Sequence, residues 1–585
     1  MEADPPFLGV ARSLTGRRWR GPGPAVERAA LGLAQMTGLP EIVARVLASG
    51  GVAAEEAEEH MAPTLRALMP DPSLLADMDR AAERLAQAAI RRERIAIFGD
   101  YDVDGAASAA LLVEWLRHFG HEPTIYIPDR IAEGYGPNAP AMERLGAEHD
   151  LIVCVDCGTA APEPIAAARA RGADVIIVDH HLPGAALPDA VCVNPNRADC
   201  GSGLGYLAAA GVLFLVLVAA NRALRERGAF ADRSSPDLMA LLDLVALATV
   251  ADVAPMTGLN RAFVRQGLAV LSRRERPGLA ALADVAGLTA PPKAGDLGFA
   301  LGPRINAAGR IGDAALGARL LTTCDPSEAA ALAERMDALN AERRALETAV
   351  LDAASEQVEA RGIGALAWAA GQGWHAGVVG IVASRLKDRF NRPAIVISVD
   401  GETATGSGRS ITGIDLGSKV TVLAERGLLL RGGGHRMAAG LSVAPARIEE
   451  AMGALSEMLA AAGAEEIGPE DLPVIGAIAP SGCTPELVQS LESAGPFGPG
   501  NPAPRLALGH VVPSGVRMVG NGHCMARFES LGAIGFRADG NGIAEALGEA
   551  AMARRPLHVA GKLEIDDWGG RRRARLTIED VAEPE

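Results

Sequence analysis

Between residues 76 and 200 the apolar positions switch repeatedly between two periods. Short runs rich in β-branched residues, IAIFGD (95–100), TIYIPD (124–129), LIVCVD (151–156), DVIIVDHH (174–181) and AVCVNP (190–195), read as strands. Between them MDRAAERLAQAAIRR (78–92), AASAALLVEWLRHFG (106–120) and PEPIAAARARG (162–172) carry the 3.6-residue period of helices. Strands this uniformly apolar, alternating with helices, predict a mostly parallel sheet covered on both faces.

Other regions follow different patterns. Residues 1 to about 75 are helical and irregular, and further helices run from about 200 to 325, ending the unit 76–325. Residues 325–362 predict one long helix of roughly 50 Å, suited to joining two lobes. Asp325 fits its N-cap, Pro326 its first position and Glu328 the reciprocal position of a capping box. A second α/β pattern fills 363–462, and after a polar linker the segment 463–585 shows short strands with tight turns and interleaved arginines, a small barrel. No internal repeat of fixed period is visible.

A chain of 585 residues is too long for one core, so several domains are expected. No apolar run is long enough to span a bilayer, and the acidic, Pro-rich start does not read as a signal peptide. Seven scattered cysteines suit a reduced cytoplasmic protein. Cys154 and Cys157 form a CxxC with no second pair, and read as small buried neighbours of Asp156. The net charge of −16 argues mildly against a generic nucleic-acid binder, but residues 496–585 hold eleven basic and eleven acidic residues, so the excess lies elsewhere. Acid clusters that bind cations also make a bare sequence look more anionic than the working protein.

Those acids are placed where chemistry is expected. Asp100, Asp102 and Asp104 follow one predicted strand, Asp156 a second, and Asp179, His180 and His181 a third, while Asp252 ends the apolar run ALATVAD. In a parallel sheet the carboxyl ends of strands share one edge, where such folds bind ligands. So many carboxylates would repel one another unless a cation neutralised them. With one or two imidazoles they form a donor set for Mn²⁺ or Mg²⁺ rather than a thiolate zinc site. Two such ions could activate water for attack on phosphorus. Helix capping alone accounts for one or two of these residues, not for all.

The ordered set DYDVDG (100–105), VDCG (155–158), DHH (179–181) and ADVAP (251–255) resembles the four motifs of the DHH phosphoesterase superfamily. HAGVVGIVASR (375–385), GSGRS (406–410) and GGGHRMAAG (432–440) resemble its DHHA1 companion domain. LGPRINAAGR (301–310) and PFGPGNPAP (496–504) resemble the RecJ branch, bacterial exonucleases that act 5′→3′ on single-stranded DNA. The likeness covers roughly residues 40 to 580; Ala254 and Met256 depart from the usual fourth motif at positions that are not ligands.

The resemblance implies a DHH domain (76–325), the long connecting helix (326–362), a DHHA1 domain (363–462) and an OB-like nucleic-acid-binding barrel (463–585). It implies two divalent cations, Mn²⁺ or Mg²⁺, held by Asp102, Asp104, Asp156, His180 and Asp252, with Asp156 bridging. His181 would face the scissile phosphate, and Asp100 and Asp179 would orient ligands or water. How the two imidazoles divide ion and phosphate is open.

A Gly-rich turn at GSGRS would hold a 5′ phosphate through backbone N–H groups, Ser407, Arg409 and Ser410. Arg304, Asn306 and Arg310 would line the approach between the lobes, and His375 and His435, the latter in a triple-glycine turn, would add phosphate contacts. Arg517, Arg527, Arg537 and the run RRRAR (571–575) would track a backbone, or, for the run, protect a hairpin edge. With 3% aromatic residues, base stacking should be sparse.

The function implied is degradation of single-stranded DNA to mononucleotides in recombination and repair. The protein would be a cytoplasmic, nucleoid-associated monomer, with a single-strand-binding protein and a RecQ-type helicase as candidate partners. The competing readings are a DHH phosphodiesterase on short oligonucleotides or cyclic dinucleotides, a pyrophosphatase, and an inactive single-strand-binding scaffold in a replication complex.

Overall fold

The computed structural model describes residues 5–130, 133–520, 522–538, 540–567 and 572–584. Its first sheet has five parallel strands in the order β2–β1–β3–β4–β5, with β1 Ile95–Gly99, β2 Thr124–Tyr126, β3 Leu151–Val155, β4 Asp174–Val178 and β5 Val191–Val193. Successive side chains of a strand point to opposite faces, so each strand feeds two cores. Ile95, Ile97, Val153 and Ile176 join the large core beneath Met78–Arg91, α1 (Val103–Arg117) and Ala209–Glu226. Ala96, Phe98, Ile152 and Ile177 pack instead with Met142, Leu145 and Ile165, from the helices Ala139–Glu148 and Pro162–Ala170. Burial on both faces is why these strands read as continuous apolar runs rather than alternating ones.

α2 (Leu242–Ala251) is buried in the same large core and ends at Asp252. α3 (Gly302–Ile311) lies across the start of α1, where Gly309 sits so close that an added Cβ would stand 2.4 Å from the Tyr101 carbonyl. The long helix is α4, Pro326–Arg361, 36 residues and thus roughly 54 Å. Its early residues Leu332, Met336 and Leu339 belong to the first core, and Val350, Ala354 and Val358 to a core of the second lobe. Asp325 caps it, accepting from the Ser327 N–H at 2.8 Å. The expected capping box does not form: Glu328 pairs with Arg319 at 2.9 Å and accepts from the Thr323 hydroxyl, whose oxygen takes the Asp325 N–H.

The second lobe is a mixed sheet ordered β9–β10–β8–β7–β6, with β6 Ala367–Gln372, β7 Ala394–Asp400, β8 Thr403–Arg409, β9 Arg431–His435 and β10 Ala438–Val443. β6 and β7 are parallel and the other pairs antiparallel. α5 (Ala376–Phe390) packs against it. Two expected turns are therefore strands. GSGR lies in β8, between β7 and β10, and the triple glycine lies in β9. The glycines serve packing: a Cβ on Gly408 would stand 2.8 Å from Leu416, and one on Gly406 3.0 Å from Ile397.

The C-terminal module is a seven-stranded sheet formed by Gly476–Ala477, Leu506–Val511, Pro513–Val519, His523–Phe528, Leu531–Gly535, Leu557–Asp566 and Arg573–Ala582. The N-terminal region packs on it. Trp19–Arg20 pairs with Leu472–Pro473, and the buried Trp19 indole donates to Asp580 at 2.9 Å. Leu33, Ala44 and Leu47 share a core with Leu491 and Leu506. Of RRRAR, Arg571 lies outside the described residues; Arg575 faces Asp566 at 3.4 Å.

Candidate metal centre and the cleft beside it

Each acid is placed by a local backbone device. Asp102 caps α1, accepting from the N–H groups of Asp104 (2.9 Å) and Gly105 (3.2 Å). Gly105 admits no side chain, since its Cβ would lie 2.3 Å from the Asp100 carbonyl. Asp104 is fully buried, with its carboxylate on the N–H groups of Ala209 (2.6 Å) and Ala210 (2.9 Å), at the positive end of another helix. Asp156 follows β3 in the left-handed region at φ 60°, and its N–H continues the ladder to Val178. For a non-glycine residue that conformation stores about 1–3 kcal/mol of strain.

These devices bring the ligand atoms together. His180 Nε2 lies 3.3 Å from an Asp156 oxygen, 3.7 Å from Asp252 and 3.8 Å from Asp104. Asp100, Asp102 and Asp156 form a second group whose donor atoms lie within 4.8 Å of one another. Asp156 also meets His181 Nδ1 at 3.8 Å. Two ion positions are thus outlined, Asp104–His180–Asp252 and Asp100–Asp102–Asp156, with Asp156 reaching across both. Asp100, expected to act from outside the ligand set, stands among the donors.

The electrostatics show why these groups suit a cation. Burial first, then the neighbouring carboxylates, pushes Asp156 well above the ordinary range, Asp252 to about 8 and Asp100 to about 7. Asp100 Oδ1, Asp156 Oδ1 and His180 Nε2 are buried with no hydrogen-bond partner, a costly arrangement unless a ligand completes it. All-oxygen donors with imidazole match Mn²⁺ or Mg²⁺. The residues therefore fit a pair of such ions.

Asp179 plays a different part. It accepts from the N–H groups of Thr159, His180 and His181 and from His181 Nδ1 at 2.8 Å. Although burial alone would raise it, these bonds hold it far below the usual carboxylate range. The same contact outweighs the burial of His181 and raises that imidazole to about 9. His181 is 44% exposed, with Nε2 3.1 Å from the Tyr135 hydroxyl.

The remaining candidates divide into two groups. Ser407 and Arg409, two apart on β8, share the face toward α5, where Gly380 makes room: its added Cβ would stand 3.4 Å from the Arg409 guanidinium and 3.5 Å from the Ser407 hydroxyl. Arg310 is bonded to the Gly377 carbonyl at 3.3 Å. Burial, with Arg130 next, lowers Arg310 to about 10 and also lowers Arg409. Arg130, over the Tyr101 ring at 4.9 Å, thus belongs to one cationic cluster with them. Among the described residues none of the three has an ion pair with a carboxylate.

The others are occupied by the fold. Arg304 pairs with Asp337 (2.9 Å) and the Ala300 carbonyl, and Asn306 accepts from the Val103 N–H at 3.1 Å. Ser410 is buried and donates to the Ile414 carbonyl, and His375 caps α5 by accepting from Gly377. His435 ends the edge strand β9, exposed. Sequence reasoning passed over Arg130 and Tyr135. The available signal was their place, in PDRIAEGYG, directly after β2 on the same carboxyl edge.

Comparison with known proteins agrees over most of the length. Residues 94–249 match the DHH family N-terminal domain, 362–461 the DHHA1 domain and 476–580 the RecJ OB domain. The chain is 39% identical to the single-stranded-DNA-specific exonuclease RecJ of Dickeya dadantii, over 93% of this chain and 96% of that protein. It belongs to the RecJ family. RecJ of Escherichia coli is 36% identical over the same shares. The crystal structure of Thermus thermophilus RecJ with Mn²⁺ superposes with a TM-score of 0.79 at 30% identity, covering 97% of this chain and 80% of that one. Its Mg²⁺ complex gives a TM-score of 0.70 at 27% identity, covering 97% and 78%. The RecJ fold, with DHH, DHHA1 and OB parts, is thus the fold of this chain. Among the described residues no helix is long and apolar enough to cross a membrane.

Proposed function

We propose that this chain is a metal-dependent exonuclease of single-stranded DNA, hydrolysing phosphodiesters with two Mn²⁺ or Mg²⁺ ions in recombination and repair. The observation that carries the reading is the convergence of Asp100, Asp102, Asp104, Asp156, His180 and Asp252, with three buried donor atoms unpartnered, beside a cationic cluster that forms no ion pair with a carboxylate among the described residues. Bound there, the ions would neutralise the carboxylates and make water nucleophilic at neutral pH.

The chain's own residues supply the rest. Asp179 fixes the His181 ring through Nδ1, leaving Nε2 on the Tyr135 side of the cleft to donate to a non-bridging oxygen or to the leaving O3′. Arg130, Arg310, Arg409 and Ser407 hold a terminal 5′ phosphate by charge-assisted hydrogen bonds, setting one nucleotide between anchor and ions. Water oxygen bonds to phosphorus, the P–O3′ bond breaks, and the strand is left with a new 5′ phosphate for the next round. Polarity from 5′ to 3′ and release of mononucleotides follow from that spacing. The OB module would carry the trailing strand mainly by its backbone, through Arg517, Arg527 and Arg537. We further propose a monomer that works in the cytoplasm on the nucleoid, beside a single-strand-binding protein and a RecQ-type helicase.

The test is a 5′-phosphorylated single strand labelled at either end. Mononucleotides should appear from the 5′ end first, and chelation or Asp156→Ala should stop them. Release of the 3′ label first would reject the polarity, and cleavage restricted to dinucleotides would favour a small-substrate phosphodiesterase.

A further inference from the structure

The segment PFGPGNPAP has no part in the chemistry above, yet it lies against the loop that carries Asp252. Asp252 ends α2, and only Val253, Ala254 and Pro255 separate it from Met256. Val253 is left-handed at φ 58°. From there the loop is held on two sides. Asn260 donates to the Pro255 carbonyl at 3.0 Å and to the Tyr206 carbonyl at 2.9 Å. On the other side the Met256 N–H donates to the Pro499 carbonyl at 2.6 Å.

The fit around that bond is tight. An added Cβ on Gly498 would stand 2.6 Å from Met256 Cγ, and one on Gly500, at φ 74°, 3.1 Å from Thr257. Met256 itself is 1% exposed, so it has nowhere to retreat. The loop 496–501 is in turn braced from within: Gly498 and Asn501 exchange both backbone hydrogen bonds, and the Asn501 amide donates to the Pro496 carbonyl at 2.8 Å. Next to it the buried Arg261 donates to the carbonyls of Ala494, Gly495 and His60, tying the catalytic lobe to the neck of the C-terminal module and to the N-terminal region. Five residues after Asn501 the chain reaches Leu506–Val511, a strand of the C-terminal sheet.

We propose that the loop 496–501 positions the metal ligand Asp252, so that ion occupancy at Asp104–His180–Asp252 depends on how the C-terminal module is seated. The proposal rests on the reading of Asp252 as a ligand. The physical reason is the short tether. A three-residue link transmits displacement of Met256 to Asp252, and a carboxylate moved by about 0.5 Å is already out of productive geometry. The Pro499 carbonyl and Gly498 are positioning groups that meet Met256 and are not among the candidate ligands or phosphate anchors.

The test is Mn²⁺ titration of the whole chain, following free ion by electron paramagnetic resonance. Wild type should bind two ions. Gly498→Ala should weaken one of them about tenfold or more, the effect of losing a group that orients a ligand. Adding Met256→Ala to Gly498→Ala removes the clash and should restore most of the affinity. A folded Gly498→Ala chain with unchanged Mn²⁺ binding overturns the proposal, and so does a loss that Met256→Ala leaves in place. If Gly498→Ala does not fold, Asn501→Ala loosens the loop without adding an atom, and unchanged Mn²⁺ binding there overturns it equally. Asp252→Asn separates the two readings. Two ions retained with wild-type affinity would remove the ligand assignment and the proposal with it; one ion lost there, with Gly498→Ala normal, removes only the positioning role.

Discussion

The carboxyl edge of the first sheet and the strand β8 of the second lobe were both marked by short motifs, and they fold in opposite ways. At the first, every motif acid reaches the site, and the backbone is bent, capped or left-handed to bring it there. At the second, GSGR is an ordinary strand: its glycines give room to Ile397 and Leu416, Ser410 just beyond it is spent on the Ile414 carbonyl, and Ser407 and Arg409 share the face toward α5. The difference lies in the cost of burial. A carboxylate is tolerated inside only with a partner, so clustered buried acids advertise a ligand. Glycine and serine have structural uses that need none.

The largest effect that would sharpen this contrast is at the shared acid. Asp156→Ala removes the group that reaches both ion positions, and turnover should fall by at least about a hundredfold, beyond the loss of a supporting partner; near-wild-type turnover would break the comparison on the catalytic side. Next comes the anchor. Arg409→Ala should reduce the preference for a 5′-phosphorylated end by roughly tenfold to a hundredfold, the worth of a charge-assisted hydrogen bond. Ser410→Ala should leave that preference as it is. Equal effects from the two would mean that the strand reading is wrong, and competition between phosphorylated and unphosphorylated strands measures both.

A further check uses pH. Asp100, near 7, and Asp252, near 8, are raised above their unfolded values, so the folded chain binds more protons than the unfolded one between about pH 4 and 8. Their stabilisation is complete below the unfolded pKa and is lost as pH rises through the folded one. His181, raised to about 9, adds a loss of the same sign from about pH 6.5 upward. In chelator the melting temperature should fall from pH 5 to pH 8, and added Mn²⁺ should raise it most at pH 8. A metal-free chain whose stability rises over that window would contradict the crowded-carboxylate picture. The smallest effect is structural: Asn306→Ala removes the acceptor for the Val103 N–H and should lower stability by about 1 kcal/mol in denaturant titration, with 5′-end preference unchanged.

Much of the molecule was legible from local pattern. The five strands, the long helix and the edge bearing Asp102, Asp104, Asp156 and His180 all follow from periods of apolar residues and from where acids fall against them. Glu328 was misread because a capping box competes with any nearby cation, and Arg319, which takes the carboxylate, stands nine residues away on another helix. Asn306 was expected to line the approach between the lobes and His375 to contact phosphate, yet both accept from N–H groups at helix starts, since the same acceptor serves either purpose. Arg130 and Tyr135 were passed over because the only signal they carried was their place after β2 on the carboxyl edge, with no run of acids or histidines beside them to mark it.

By itself, then, the sequence determined the order of lobes and the chemistry of the metal edge, because burial of apolar faces and clustering of acids leave periodic, local traces. Only the tertiary structure decided that Arg130 comes close enough to Arg310 and Arg409 to act on their charge, that the N-terminal region belongs with the C-terminal module, and that Pro499 lies against the Asp252 loop. Those are contacts between segments tens to hundreds of residues apart, set by packing, and packing leaves no period to read.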